Sequence, residues 1–171
     1  MSGSKQRSAS TPATQVLIRM GIPFEIHSFD IDVHATAGGG SGYGLQAAKA
    51  LGVTSSHVFK TLIAVVDARP CVGIVPVDCS LDLKAFAAAC NGRKAVMAEP
   101  VVAERLTGYV IGGISPIGQR RSLPTVIDQS AQDLPKVFVS AGRRGLEVAL
   151  SAMDLLRATS GTLAPIARRD E

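Results

Sequence analysis

The chain has no tryptophan, and aromatic residues account for only 4% of its 171 positions. A core for a chain of this length must therefore be assembled from Val, Ile, Leu and Ala. Apolar residues make up 46% of the chain, enough for a packed domain. Cysteine is scarce too: Cys71, Cys79 and Cys90 are an odd number at spacings unlike any zinc signature. Cys90 falls on the apolar face of a predicted helix and reads as core. Nothing in the sequence suggests an oxidising compartment in which a disulfide would persist. Histidine is limited to His27, His34 and His57, none in a context that marks a general base. No apolar run approaches the roughly 20 residues of a membrane span, so no membrane partner is expected. The first residues lack the apolar stretch of a signal peptide, and a cytoplasmic location is the default expectation. Lys plus Arg number 18 against 14 Asp plus Glu, a net charge of +4. That balance permits a polyanionic partner without requiring one. Carboxylate pairs, metal-ligand clusters and Ser/His/Asp constellations are all missing, so neither a metal nor a cofactor is expected.

What is present is an α/β pattern. Residues 1–11 are small and polar and read as a disordered tail, leaving residues 12–171 as one domain without linker or repeat. Thr11-Pro12 resembles a helix N-cap followed by proline in the first turn, and Gly21 stops that helix. Phe24 to Phe29 alternates as a strand does. Residues 35–44 are glycine-rich, without the strand–GxGxxG–helix context of a dinucleotide fold or the Gly-Lys-Ser/Thr ending of a P-loop. They read as a mobile loop or a lid, followed by a helix from Leu45 to Leu51 and a Gly52 cap. Residues 57–67 and 71–77 are apolar and β-branched, joined by Asp67-Ala68-Arg69-Pro70 as a hairpin-like pair, with Pro76 near an edge or an end. Ser80 to Cys90 carries a helical stripe at Leu83, Phe86, Ala87 and Cys90, closed by Asn91-Gly92. A further helix is expected over Pro100 to Leu106. Strands are expected near 108–111, 123–128, 136–140 and 162–167, with a helix from about 147 to 157. Strands that follow one another without intervening helices argue for a mixed sheet or barrel rather than a doubly wound parallel sheet.

Two segments carry the chemistry. Gly112-Gly113-Ile114-Ser115-Pro116-Ile117-Gly118 packs three glycines and a proline into seven residues behind Val110 and Ile111. Such a stretch is neither helix nor strand interior. It is either a tight connection or a bare loop whose backbone N–H groups stabilise an oxyanion. Upstream, Val58-Phe59-Lys60-Thr61-Leu62 sets one lysine in an apolar strand. Lys60 is either a surface lysine on an edge strand or a partly desolvated cation. In the second case it can hold phosphate or carboxylate, or polarise a carbonyl. Ser140 ends the Val137-Phe138-Val139 strand and, with no base in view, reads as a hydrogen-bonding serine rather than a nucleophile. Arg143 and Arg144 behind it are solvated or meet phosphates. Asp128 closes the Pro124-Thr125-Val126-Ile127 strand as a cap, or else as the counter-ion of Lys60.

In order along the chain, several blocks together resemble the YbaK/EbsC family of free-standing aminoacyl-tRNA deacylases, relatives of the editing domain inserted in some prolyl-tRNA synthetases. They are Phe24-Glu25-Ile26-His27, Val58-Phe59-Lys60-Thr61-Leu62, Leu81-Asp82-Leu83-Lys84, Thr107-Gly108-Tyr109 through Gln119, Leu123 to Asp128, Val139-Ser140-Ala141-Gly142-Arg143-Arg144-Gly145-Leu146-Glu147, and Ile166 to Asp170. The resemblance spans about Thr14 to Asp170 and is strongest to the branch that clears cysteine from proline tRNA. It implies a mixed sheet curled into a barrel-like core with flanking helices. By the same resemblance Lys60 holds the 3′-terminal adenosine and its phosphate, and Gly112 and Gly113 contact the aminoacyl carbonyl. Phe29, Tyr43, Thr61, Ser115, Pro116, Asp128, Ser140, Gly142 and Glu147 are the substrate-binding candidates. Glu147 stands where relatives have aspartate, keeping the charge and extending the reach. Arg120, Arg121, Arg143 and Arg144 are candidates for tRNA contact. The implied reaction is trans-editing of Cys-tRNA(Pro), and of Cys-tRNA(Cys), with the substrate's thiol attacking its own ester. The implied partners are aminoacylated tRNA and, transiently, prolyl-tRNA synthetase. The alternatives are a deacylase for another small amino acid such as alanine, or a non-catalytic module that binds tRNA ends or a synthetase.

Overall fold

The computed structural model describes residues 9–31 and 41–169. Helix α1 (Pro12–Arg19) starts as its sequence dictates. The Thr11 hydroxyl accepts from Thr14 N–H, the Thr14 hydroxyl accepts from Thr11 N–H, and Pro12 fills the first turn. Thr11 is buried, and its hydroxyl donates to Ala141 O. The folded domain therefore begins before residue 12, while residues 1–8 of the expected tail lie outside the described residues.

The remaining helices and strands are β1 (Glu25–Ser28), α2 (Ser41–Leu51), β2 (Phe59–Val66), β3 (Arg69–Pro76), β4 (Cys79–Leu81), α3 (Leu83–Ala89), β5 (Ala95–Met97), α4 (Pro100–Thr107), β6 (Thr125–Asp128), β7 (Val137–Arg143), β8 (Leu146–Leu150), α5 (Ala152–Thr159), β9 (Thr162–Ala164) and β10 (Ala167–Arg169). Of the glycine-rich run, residues 35–40 and His34 lie outside the described residues, and Tyr43 and Gly44 belong to the start of α2 instead of a loop.

The largest sheet has the order β5-β2-β3-β6-β9; β2 runs antiparallel to β3 and β5, and β6 parallel to β3 and β9. The expected mixed sheet is observed. The β2–β3 hairpin closes through Asp67 and Ala68 at φ 47° and 72°, the two left-handed positions of a type I′ turn. The Asp67 carboxylate accepts from the N–H groups of Arg93 and Lys94, bonds that hold its pKa below the ordinary carboxylate range. Because β3 lies between β2 and β6, Pro76 marks its end and not an edge. A second, antiparallel sheet runs β1-β8-β7, and β10 pairs with β4. Among the described strands no sheet closes into a barrel: the large one ends at β5 and β9. A parallel bridge between Val58 and Phe138 links the two main sheets, which share one hydrophobic cluster.

Four sequence expectations give way to tertiary contacts. Residues 108–111 form no strand, since Gly108 at φ 79° caps α4 and the chain turns at once into the glycine loop. Residues 147–157 are not one helix. Leu146–Leu150 becomes the central strand of its sheet, and only Ser151, whose hydroxyl accepts from Asp154 N–H, starts α5. Leu, Glu and Ala favour helix, but pairing on both edges overrides that preference. The helix expected from Ser80 begins at Leu83 behind an Asp82 cap, because Cys79–Leu81 pairs with β10. The final strand is split into β9 and β10 around Pro165.

The main core packs α1, α4 and α5 against the two sheets, with Leu17, Ile74, Ile127 and Leu155 fully buried. A second cluster centres on Phe86 of α3 under β2 and β3. Each such side chain contributes about 1.5–3 kcal/mol by leaving water. All three cysteines are free. Cys90 is half-buried and not sealed in the core; it lies beside Cys71, and burial pushes its thiol up to about 12.

Candidate active site

A cavity of about 320 Å³ opens beside β2, where the two main sheets part. On the edge away from β3, β5 pairs only with Ala64 to Val66, and Val58 bridges to Phe138. Between those pairings β2 presents Lys60, Thr61 and Leu62 to the cavity. Lys60 is half-buried, so it is not the solvated surface lysine of the blander reading. The Thr61 hydroxyl oxygen is sealed from solvent and has no hydrogen-bond partner among the described residues.

The opposite wall comes from β7 and β8. Ser140 and Glu147 stand directly across from each other, and both line the cavity. Ser140 Oγ accepts from Gly142 N–H at 3.2 Å, the hydrogen-bonding role read from its context. Glu147 Oε2 is sealed and, among the described residues, unpartnered. Burial raises its pKa to about 8. Desolvation thus works against the charge that the sequence leads one to expect at Glu147, and favours the protonated carboxyl at neutral pH. His27 faces Glu147 from β1 in register, but its Nε2 is within 3.1 Å of Glu25 Oε2, and Glu25 also meets Lys136.

The mouth is formed by Phe29, Tyr43 and the glycine loop. Phe29 N–H donates to Gly145 O, and Tyr43 projects from α2 beneath the Arg144 guanidinium, 5.1 Å from the ring centroid. Gly112, at φ 88°, lines the cavity, and a Cβ there would lie 3.0 Å from both Arg144 Nε and the Tyr43 ring. The loop is stapled from behind by Tyr109. Its hydroxyl donates to Ile117 O at 2.7 Å, and burial pushes its pKa up to about 12.

Of the predicted residues, the cavity gathers Lys60, Gly112, Phe29, Tyr43, Thr61, Ser140 and Glu147. The rest lie elsewhere. Gly113 is off the cavity; its N–H donates to Val110 O, and a Cβ there would press within 2.8 Å of Arg144 N. Ser115 is fully buried, its hydroxyl accepting from Ile117 N–H, and Pro116 is buried beside it. Gly142 packs on the Tyr109 ring, where a Cβ would come within 2.6 Å. Asp128 is buried, accepting from Ser130, Ile166 N–H and Ala167 N–H, beside a separate cavity of about 450 Å³. Those bonds fit the capping reading. Arg120 reaches back to Arg105 O, Arg121 and Arg143 are exposed, and none of the three lines the cavity. No local signal marks Glu104, an ordinary helix residue whose carboxylate accepts from Ile111 N–H at 3.0 Å. Ile31, Gly44, Val77 and Ile114 also line the cavity; only contacts distant in the chain put them there. Among the described residues no cluster of His, Cys, Asp and Glu could hold a metal, and no helix is long and apolar enough to cross a membrane.

The chain is 36% identical over 126 residues to EbsC of Enterococcus faecalis, a candidate Cys-tRNA(Pro)/Cys-tRNA(Cys) deacylase by its name, covering 73% of this chain and 77% of that protein. The fold matches the crystal structure of a candidate trans-editing enzyme for prolyl tRNA synthetase with a TM-score of 0.78 and 22% identity, covering 93% of this chain and 98% of that one. It also matches the hypothetical protein APE2540, with a TM-score of 0.80 and 21% identity over 92% of this chain and 100% of that one. Residues 44–158 match the model of the aminoacyl-tRNA editing domain, and the stretch takes in every cavity-lining segment except Phe29, Ile31 and Tyr43. The chain belongs to the aminoacyl-tRNA editing domain family.

Proposed function

We propose that the protein deacylates Cys-tRNA(Pro) in trans, with Cys-tRNA(Cys) as a related substrate. The observation that carries the reading is that Lys60, from one sheet, and Gly112, from a loop packed on the other, border one cavity. Among the described residues the cavity offers a cation and a bare peptide edge, but no paired nucleophile and base. That suits a substrate that brings its own nucleophile. The cysteine sulfur attacks the ester carbonyl carbon, and a C–S bond forms as the ester C–O bond breaks. The thiol proton passes to the departing 3′-oxygen, so tRNA leaves with its hydroxyl restored and a cyclic thioester remains.

In this reading Lys60 holds the terminal adenosine phosphate and orients the ester, and the Gly112 N–H supports the carbonyl oxygen as it gains charge. Thr61, Ser140 and Glu147 contact the aminoacyl group. Thr61 Oγ1 and Glu147 Oε2 are buried with no partner among the described residues. Such groups cost about 1–3 kcal/mol each until a ligand satisfies them. Neutral Glu147 offers one O–H donor and one acceptor oxygen. Pocket size separates amino acids as similar as alanine and cysteine by only about 1–3 kcal/mol, so the thiol supplies the remaining discrimination. A net charge of +4 is modest for tRNA binding. A transient complex with prolyl-tRNA synthetase provides the missing affinity and selects the tRNA.

The test is deacylation by purified protein of tRNA(Pro) charged with cysteine, alanine or serine, with and without the synthetase. Cysteine leaves fastest in this account. Faster release of alanine would replace it with an alanine deacylase, and binding without turnover would replace it with a non-catalytic module.

A further inference from the structure

We propose that Arg144 and Glu104 are positioning residues that aim the Gly112 N–H into the cavity. The kinetic part of this inference rests on the proposed deacylase activity. Ile111 is held at both of its backbone groups. Its N–H donates to Glu104 Oε2 at 3.0 Å, and its carbonyl accepts from Arg144 Nε at 2.8 Å. The peptide joining Ile111 to Gly112 is trans, so the Gly112 N–H points opposite to the carbonyl that Arg144 holds. Gly112 lines the cavity and Arg144 does not. The guanidinium therefore grips the peptide from behind and leaves the N–H facing inward. Among the described residues no backbone acceptor takes that N–H, whereas the next one, on Gly113, is taken by Val110 O. A cation on the carbonyl also polarises the peptide and makes its N–H a stronger donor. The Tyr43 ring, 5.1 Å below the guanidinium, fixes the arginine in place. Arg144, expected from sequence to be solvated or to meet phosphate, thus commits its Nε to the loop.

Steady-state kinetics on mischarged tRNA tests the brace. Losing a whole oxyanion donor costs about 10²–10³-fold in rate, so a misaimed one should cost about tenfold or more. Arg144→Ala is expected to lower kcat by that amount with KM nearly unchanged, and Arg144→Lys, which can still donate to Ile111 O, to recover part of it. Glu104→Gln keeps an acceptor and stays near wild type, whereas Glu104→Leu loses rate. If Arg144→Ala instead raises KM and lowers the salt dependence with kcat intact, Arg144 is a phosphate contact and the inference falls. A second measurement needs no substrate. In ¹⁵N-labelled protein the Gly112 amide proton resonance moves upfield in Arg144→Ala at unchanged melting temperature; an unmoved resonance overturns the brace. Should the wild type deacylate no tRNA at all, the functional reading fails, and this resonance still decides the brace.

Discussion

Ser140 on β7 and Glu147 on β8 face each other across an antiparallel pair, and the strand register breaks immediately after Ser140. The break lets Gly142 turn to φ 104° against the Tyr109 ring, which in turn holds the glycine loop through Ile117 O. The strand that carries a cavity serine therefore also anchors the loop at the cavity's mouth.

Glu147 makes stability depend on pH. Its folded pKa of about 8 lies above its ordinary value of 4.5. Between those values the folded carboxyl keeps a proton that the unfolded chain has released. Its contribution is therefore fully present below the lower value and lost as pH rises toward the upper one, by up to about 1.4 kcal/mol per pH unit. Chemical denaturation across that window should show a falling stability in the wild type and a flatter profile in Glu147→Gln. Parallel profiles would refute the neutral buried carboxyl.

Gly113 is required by space rather than by conformation. A Cβ there would lie 2.8 Å from Arg144 N and 2.9 Å from Arg143 C, backbone atoms with nowhere to move. Gly113→Ala should cost about 2 kcal/mol or more in thermal denaturation. Gly52→Ala is the contrast: at φ 67° with nothing within 4 Å, it carries only the left-handed backbone penalty of about 1–2 kcal/mol. Equal losses at the two positions would mean the loop is not packed as described.

Binding of tRNA should weaken steeply with salt, because the exposed arginines around the domain displace counterions from phosphates. Each phosphate contact on a single strand contributes a slope of about −0.7 in log affinity against log salt. Arg121→Ala, which removes an exposed side chain away from the cavity, should reduce the slope by about one contact and leave kcat alone. Affinity that stays flat from low to moderate salt would rule out this electrostatic mode.

Much of this was legible in the sequence because it was local. The Thr11 cap with Pro12, the Asp67-Ala68 hairpin and the glycine loop are written in residues that touch their neighbours in the chain. Lys60 could be singled out because a cation amid Val58, Phe59 and Leu62 is locally anomalous. What stayed hidden depends on partners far away. Leu146–Leu150 is a strand only because β1 and β7 flank it, Asp128 is a cap for backbone nearly forty residues on, and Glu104 matters only through Ile111. Glu147's neutrality likewise follows from burial that no short stretch of sequence encodes.

The central claim is tested most directly by single-turnover deacylation of Cys-tRNA(Pro) with wild type and Lys60→Ala at matched, saturating protein. Lys60 borders the cavity beside Gly112's loop. The account predicts turnover by the wild type and a loss of about 10²-fold or more in the variant, at unchanged melting temperature. A Lys60→Ala protein that releases cysteine as fast as the wild type would contradict it.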